Sequence, residues 1–318
     1  MRLTRMVAAI CALCLVTGLV IYGGISLWPQ LADSSPLDGY RQNTGKDINP
    51  QYLYSIGGPT GPKRPNAVMV YQDRVYVTDA AGGQVFVYSE KGKELFRFGK
   101  SGDAGTDFVF PNGIVVNSQG NLMISDSVSN DIKVYTAAGE YLQTLPVKEK
   151  MRPGFMLKGP DGLIYVSDLM NNRILVINER GTLMRTIADA GNILSYPQGL
   201  AFDRSGRLWA ADSGHYSIKI FDKDRVIAEI KGGGIPETPF SMVRGITFDR
   251  SGRAYITDTV SRQVRIFDLK GRQLSVFSSS RQYGSELVFP TGLFAGDDGK
   301  LFVVDRGTGN VQVFSVNK

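Results

Sequence analysis

The 318-residue sequence contains only two cysteines and one histidine. Cys11 and Cys14 both lie in an apolar N-terminal stretch, so the rest of the chain has no thiol for a disulfide or a metal site. A zinc site of three histidines is excluded, because His215 is the single histidine. No catalytic motif surrounds His215 in the loop DSGHYS, which predicts an exposed and inert side chain.

Phosphate-binding loops, haem-attachment motifs and helical periodicity beyond residue 49 are absent as well. Glycine is abundant, with 37 residues, and it favours many tight turns over long helices. Without disulfides, a folded domain needs a large core, which about 270 residues can supply. The sequence therefore predicts a large all-β domain held by its core and by backbone hydrogen bonds.

An uncharged stretch runs from Val7 to Trp28, which is long enough to cross a hydrocarbon core of about 30 Å as a helix. Arg2 and Arg5 precede this stretch, and the first charge after it is Asp33. By the positive-inside rule, the N-terminus stays in the cytoplasm and the remainder is exported. We therefore expect a single-pass membrane protein with an anchor in residues 1–30 and a C-terminal domain that is periplasmic or extracellular.

A cleaved signal peptide is the alternative to an anchor. It is disfavoured because no small-x-small cleavage site follows and because the apolar stretch exceeds a usual signal core. A lipoprotein is less favoured still, since no small residue precedes either cysteine in the lipidation pattern. The polar residues 31–49 include Pro36, Gly39 and Gly45 and show no periodicity, so they predict a flexible linker before a domain at 50–318.

The chain is basic, with a formal net charge of +6. Residues 1–49 carry four basic and three acidic side chains, which leaves +5 on the domain. Such a charge often indicates nucleic acid or an anionic surface as the partner. No nucleic acid is expected outside the cytoplasm, where lipid headgroups, acidic glycans or an acidic envelope protein fit better. Alternatively, the charge serves solubility alone.

Six segments share one pattern, in which a strand-like stretch ends at an aspartate. These repeat aspartates are Asp79, Asp126, Asp168, Asp212, Asp258 and Asp305. They are 47, 42, 44, 46 and 47 residues apart, which is typical of propeller blades. Turn residues divide each repeat into four short strands, the third of which starts five residues after the aspartate. The sequence therefore predicts an all-β, six-bladed β-propeller with four-stranded antiparallel blades.

The last repeat ends after its third strand, so its fourth strand must come from elsewhere. Gln51–Ile56 has the pattern of a fourth strand and stands before the first full repeat. Pairing of this segment with residues 310–314 would close the ring and leave no bare edge.

The repeats resemble NHL repeats, a family whose pattern is Pro-x-Gly-hydrophobic, a glycine turn, a strand ending in aspartate, a polar gap and an Arg-hydrophobic strand. Those that start at Pro111, Pro197 and Pro290 match best, whereas Phe155 and Val243 replace the usual glycine and proline. The resemblance spans about residues 50–318 and, with the predicted anchor, implies a membrane-anchored, bacterial-type member. Such propellers serve as ligand-binding domains, scaffolds, sensors and occasionally enzymes, so the resemblance leaves the function open.

The repeat aspartates allow two interpretations. A ring of carboxylates could hold a calcium ion near the central channel. One aspartate at the same strand end of every blade is better explained as an acceptor for backbone N–H groups in the following turn. We therefore expect a structural role for all six, and we assign no catalytic residue.

The resemblance also extends to enzymes, because calcium-dependent lactonases and zinc-dependent peptide-amidating lyases have related six-bladed propellers. It implies, as an alternative function, a calcium-dependent hydrolase or lyase with its site at the channel mouth. Candidate ligands there are Asn130, Asn171, Asn172, Glu237 and Glu286, although no spacing singles them out. We expect no cofactor, and calcium is the single candidate metal.

The loops that join one blade to the next are long and varied, and they lie on one side of the predicted disc, here called the long-loop face. Long loops on a rigid scaffold commonly bind partners. The candidate partner-binding residues on this face are Arg64, Lys100, Arg152, Arg173, Tyr216, Arg244, Arg262, Arg281, Tyr283 and Arg306, with Phe240 as a further aromatic. Arginine with aromatics is typical of interface centres. We expect a binding or scaffold module for an anionic ligand or an envelope protein. Alternatively, these basic residues are scattered charges in solvent and form no binding surface.

Overall fold

Each repeat forms one antiparallel sheet of four strands. The computed structural model describes residues 48–102, 105–188, 191–234, 240–278 and 287–316, which belong to one compact unit, Thr44–Lys318. Six such sheets are present in the described residues. The first strand of every sheet contacts the first strands of both neighbouring sheets, and the six first strands therefore surround a central channel. This arrangement confirms the predicted six-bladed β-propeller.

The strands are numbered in chain order and grouped by their place in the blade. The innermost strands are β2 (Pro65–Tyr71), β6 (Pro111–Val116), β10 (Pro153–Lys158), β14 (Pro197–Phe202), β18 (Val243–Phe248) and β22 (Pro290–Ala295). The second strands are β3 (Arg74–Asp79), β7 (Leu122–Asp126), β11 (Ile164–Asp168), β15 (Leu208–Asp212), β19 (Ala254–Asp258) and β23 (Lys300–Asp305).

The third strands are β4 (Gln84–Ser89), β8 (Asp131–Tyr135), β12 (Arg173–Ile177), β16 (Ser217–Asp222), β20 (Gln263–Phe267) and β24 (Asn310–Ser315), and all begin five residues after a repeat aspartate, as predicted. The outermost strands are β1 (Gln51–Ile56), β5 (Glu94–Phe98), β9 (Tyr141–Thr144), β13 (Leu183–Ile187), β17 (Arg225–Lys231) and β21 (Gln273–Ser278). A 3₁₀ helix covers Ser213–His215.

The N-terminal strand closes the ring, as the sequence predicts. β1 pairs antiparallel with β24, so that Tyr52 lies opposite Phe314 and Ile56 lies opposite Val311. Ile56 is fully buried among residues of the first and last blades. The last blade therefore combines strands from both ends of the domain.

The predicted anchor, residues 1–30, and residues 31–47 of the predicted linker lie outside the described residues. Within the part of the chain that is described, no helix has the length and apolar character needed to cross a membrane.

Neighbouring blades are in close contact at the third residue of several innermost strands. A Cβ atom on Gly245 would approach the Thr291 carbonyl oxygen of the next blade more closely than non-bonded atoms allow, and it would lie 3.1 Å from the Leu293 nitrogen. The Thr257 hydroxyl donates to the same Thr291 oxygen at 2.7 Å. Glycine at position 245 therefore allows these two backbones to approach each other.

The apolar core lies between the blades. One cluster joins Trp209 and Ile218 of the fourth blade to Ile246 and Phe267 of the fifth. The Trp209 ring meets Phe248 edge-on, with 5.2 Å between the ring centroids. Because every blade packs on two neighbours in this way, the scaffold holds its loops in fixed positions.

Candidate functional site: the long-loop face and the channel mouth

The repeat aspartates tie together the loops of the long-loop face. The Asp126 carboxylate accepts the backbone N–H groups of Val109 at 2.6 Å and Phe110 at 3.0 Å, which precede the innermost strand of its blade. It also accepts the N–H groups of Val128 and Ser129 in the following turn, both at 3.0 Å. The carboxylates of Asp79, Asp168, Asp258 and Asp305 accept comparable bonds from the loops of their own blades. These oxygens are thus occupied by backbone donors.

Asp212 differs from the other repeat aspartates because the side chain of a histidine in the following turn pairs with its carboxylate. His215 Nδ1 lies 2.8 Å from Asp212 Oδ2, and the Ser195 N–H group donates to Asp212 Oδ1 at 2.6 Å. Burial raises the pKa of the Asp212 carboxyl. The expectation of an exposed His215 is corrected, since its side chain is partly buried and paired with a carboxylate. The sequence could not show this contact because the turn is a 3₁₀ helix in this blade only among the described turns.

Several predicted binding residues are engaged in local contacts or lie outside the described structure. Arg173 Nε is 3.0 Å from Asp168 Oδ2, within its own blade. Lys100 Nζ is 3.8 Å from Asp107 Oδ2 and is otherwise exposed. Arg262 has a positive φ in the turn after the fifth repeat aspartate. Arg281 and Tyr283 fall outside the described residues.

Phe240 is not part of the surface, which corrects the interpretation that it is an interface aromatic. Its side chain is fully buried in the cluster between the fourth and fifth blades. Its ring centroid lies 5.5 Å from that of Phe267. Tyr216, in contrast, is exposed on the long-loop face. Arg152 is also exposed on this face, and only its backbone N–H group bonds to Asp168.

Three of the predicted arginines occupy the channel mouth, which we define by Arg64, Phe110, Tyr196, Arg244, Phe289 and Arg306. Arg64 directly precedes the innermost strand of the first blade, and Arg306 directly follows the last repeat aspartate. The guanidinium carbon of Arg244 lies 5.7 Å from the centre of the Phe289 ring. That of Arg306 lies 5.8 Å from the centre of the Phe110 ring. Phe110 and Phe289 each directly precede an innermost strand, as Arg64 does. Both guanidinium groups therefore lie at the same end of the channel as Arg64.

Among the described residues, no carboxylate pairs with the guanidinium groups of Arg64, Arg244 and Arg306. The ion pairs found there are made by other basic side chains. The Nε–H group of Arg306 is buried and donates to no hydrogen-bond partner among the described residues. The pKa of Arg306 is lowered to about 10, first by burial and then by the positive charges of Arg64 and Arg244. Burial also lowers the pKa of Arg244. The mouth is therefore strongly electropositive.

Exposed apolar side chains also lie on the long-loop face. The turns after the second strands of the second, third and fifth blades expose Val128, Met170 and Val260, and Met170 retains 60% of its accessible surface. Tyr196 and Tyr216 are exposed in the fourth blade. Every other exposed large hydrophobic side chain in the described residues lies in an outermost strand, and none lies in the turns of the opposite, short-turn face. This apolar arc was not predicted from the sequence. The apolar residue two positions after the repeat aspartate is the pattern that could have indicated it.

The channel is apolar below the mouth. A cavity of about 430 Å³ is lined by the middle and end of the innermost strands, with Met69, Phe155, Phe202, Phe248 and Phe294 among its walls. Lys158 is the charged residue in this lining, and its ammonium group is paired with Glu179 at 2.9 Å. The side chains that line the cavity are therefore mainly apolar.

The candidate calcium ligands among the described residues take part in local hydrogen bonds. Asn171 Nδ2 donates to Asp168 Oδ2 at 2.7 Å, and Asn172 Oδ1 accepts the Tyr196 N–H group at 2.8 Å. Asn130 Nδ2 donates to the Val128 carbonyl at 3.2 Å. Glu237 and Glu286 lie outside the described residues. Within the described ranges, no three histidine, cysteine, aspartate or glutamate side chains group in a way that could hold a metal ion.

Comparison with known families agrees with this fold. A family model described as a 6-bladed beta-propeller matches residues 62–151, and the NHL repeat model matches residues 194–221. Part of the chain thus matches NHL repeats. The two matches together cover less than half of the chain.

Two curated proteins are similar over part of their lengths. NHL repeat-containing protein 3 of Homo sapiens is 24% identical over 210 residues, which cover 58% of this chain and 57% of that protein. Protein brain tumor of Drosophila melanogaster is 21% identical over 123 residues, which cover 38% of this chain and 12% of that protein. The matches therefore span less than two thirds of either relative.

Solved structures share the architecture at low identity. Virginiamycin B lyase from Staphylococcus aureus superposes with a TM-score of 0.59 and 18% identity, covering 79% of this chain and 81% of the lyase chain. The gluconolactonase XC5397 from Xanthomonas campestris superposes with a TM-score of 0.63 and 16% identity, covering 85% and 95% of the two chains. At these identities the likeness shows the fold alone.

Proposed function

We propose that this protein is a binding module whose long-loop face docks an anionic protein partner outside the cytoplasm. The observation that supports the proposal most is the contrast between the two faces of the described structure. One face exposes Met170, Tyr216 and Val260 and also carries arginines that pair with no described carboxylate, whereas the turns of the other face expose no large hydrophobic side chain among the described residues.

The composition of the long-loop face fits an interface. Aromatic residues, methionine and arginine are enriched at interface centres, where they bury large areas at a low cost in conformational entropy. The apolar arc spans the second to fifth blades, and exposed Arg152 lies in the third blade of that arc. Since the repeat aspartates fix the loops and turns that carry these side chains, the surface is already organised before binding.

Charge reversal and polar substitution in the arc test this function. We expect a protein carrying Arg152→Glu and Met170→Asp to capture its partner from solubilised membranes about tenfold less well, because an anionic surface is repelled and an apolar contact is lost. Arg180→Glu is the matched control, since Arg180 is equally exposed but lies in a turn of the short-turn face. Equal capture by the double variant and the control would contradict the docking surface.

We infer further that residues 1–30 anchor the propeller in the cell membrane and that residues 31–49 form a linker to the domain at 50–318. The uncharged stretch and its flanking arginines support this inference. The full-length protein is expected to stay in the membrane pellet after alkaline carbonate extraction and to be cleaved by protease added outside. Release into the supernatant, or protection from that protease, would argue against the anchor and its orientation.

A calcium-dependent hydrolase or lyase is the alternative function, and the likeness to lyase and gluconolactonase structures fits it at the level of the fold. The electropositive mouth disfavours a divalent cation, because three guanidinium groups would repel it. We therefore expect metal analysis of the full-length protein to find no calcium that survives dialysis. Stoichiometric calcium would favour the enzyme.

A further inference from the structure

The channel mouth holds more positive charge than the described residues neutralise. Among the described residues, the guanidinium groups of Arg64, Arg244 and Arg306 lack an ion pair with any carboxylate. The nearby carboxylate of Asp79 is occupied by the backbone N–H groups of Lys63 and Arg64, at 3.1 and 2.8 Å. An unpaired charge that is removed from water destabilises a fold, so this arrangement costs stability unless an anion binds.

Buried polar atoms next to the arginines also lack partners. Asn66 follows Pro65 on the innermost strand of the first blade, and only 2% of its surface is accessible. Its amide nitrogen donates to the Asn112 side chain of the second blade, whereas its Oδ1 atom has no hydrogen-bond partner. The Arg306 Nε atom is similarly unsatisfied. Unsatisfied buried groups are uncommon in folded proteins, and here one belongs to Arg306 itself and one to Asn66, two residues after Arg64.

The three arginines come from three adjacent blades. Arg244 belongs to the fifth blade, Arg306 to the sixth and Arg64 to the loop that enters the first. They therefore surround one side of the mouth rather than follow one strand. A carboxylate offers two oxygens in one plane, whereas a phosphate group offers at least three oxygens in different directions. Each guanidinium fork can pair with two oxygens, so a tetrahedral anion can satisfy donors from three directions.

We propose that the channel mouth binds a tetrahedral oxyanion of the phosphate class, held by the guanidinium groups of Arg64, Arg244 and Arg306. The anion is either free phosphate or the phosphoryl group of a larger molecule. This proposal rests on the proposed function, because it assumes that the long-loop face is the recognition face. It adds the chemical class of one ligand. Arg244 and Arg306 are the principal ligands because both are partly withdrawn from water, and Arg64 closes the site at the exposed rim.

Titration of the full-length protein with inorganic phosphate, at constant ionic strength, tests the site. Phosphate is expected to bind and to raise the midpoint of thermal unfolding, because a ligand that binds only the folded state stabilises it. Arg306→Gln is expected to weaken binding by about tenfold or more. In phosphate-free buffer, the same variant is expected to unfold at a higher temperature than the wild type, because an uncompensated charge is gone. A merely structural arginine would show the opposite shift.

Arg180→Gln is the matched control and should leave phosphate affinity unchanged, because Arg180 is exposed on the short-turn face. Arg244→Gln provides a second variant with the same expected loss as Arg306→Gln. Glycerol 1-phosphate distinguishes the two sources: binding at least as tight as that of phosphate indicates an esterified phosphoryl group, and rejection of the ester indicates free phosphate. Succinate, a dicarboxylate, is expected to bind about tenfold more weakly than phosphate.

The proposal is overturned if neither phosphate nor the ester binds at about 10 mM. It is overturned equally if both arginine variants keep the wild-type affinity, or if succinate binds as tightly as phosphate. The titration uses the protein without any partner, and the capture experiment alters residues of the apolar arc and Arg152 instead. Failure of the anion site can therefore be distinguished from failure of the docking surface.

Discussion

A protein that begins at residue 57 is expected to unfold at a temperature lower by about 10 °C or more than one that begins at residue 44, and to aggregate. The shorter protein lacks β1, the strand from the N-terminal side of the domain that completes the last blade. It loses the burial of Ile56 and the pairing of Tyr52 with Phe314, and it exposes β24 as a bare edge. Fluorescence-detected thermal unfolding measures the difference.

A matched pair of substitutions in β1 serves as the control for truncation. Ile56 has 1% of its surface accessible, whereas Leu53 in the same strand has 44%. Ile56→Asp is expected to destabilise the fold by about 3 kcal/mol or more, because a carboxylate replaces a buried side chain. Leu53→Asp should change stability by less than about 1 kcal/mol. If the proteins that begin at residues 44 and 57 are equally stable, β1 does not close the ring.

Gly245→Ala is expected to destabilise the propeller by about 3 kcal/mol. The added methyl group would be forced against the Thr291 carbonyl oxygen and the Leu293 nitrogen of the next blade, and backbone atoms cannot rotate away as a side chain can. Chemical denaturation of the full-length protein measures the loss, and a parallel loss of the hydrogen bond from Thr257 to Thr291 is expected.

Gly58→Ala is the control, because a Cβ atom on Gly58 meets no heavy atom within 4 Å. It should leave the free energy of unfolding within about 0.5 kcal/mol of the wild type. Ala67 occupies the same repeat position in the first blade, where the chain accommodates a methyl group. If Gly245→Ala proves as harmless as the control, the close approach of backbones between blades is not what requires glycine at this position.

The architecture could be predicted because it depends on features that recur in the sequence. The spacing of the repeat aspartates, the turn glycines and the strand that begins five residues after each aspartate define six similar blades. The unpaired segment Gln51–Ile56 could be matched to the incomplete last blade by pattern alone. Such local signals are repeated in every blade, so a departure in one, such as Phe155 or Val243, does not obscure the others.

The chemistry of the long-loop face was harder to predict because it depends on contacts between blades. Basic residues that look alike in the sequence have different environments in the structure. Arg173 pairs with its own repeat aspartate, whereas Arg244 and Arg306 at the channel mouth pair with no carboxylate in the described part of the chain. Phe240 looks like a surface aromatic but packs between blades. His215 stands in a polar loop yet contacts Asp212. Pairing and burial of this kind follow from three-dimensional neighbours, which a linear pattern does not contain.

Site-specific photo-crosslinking shows most directly which face of the propeller meets the partner. The photoreactive residue p-benzoylphenylalanine is placed at Met170, in the exposed arc, or at Arg180, in a turn of the short-turn face. Irradiation of intact cells is predicted to join the partner to the full-length protein through position 170 and not through position 180. A cross-link through position 180 with none through position 170 would contradict the assignment of recognition to the long-loop face.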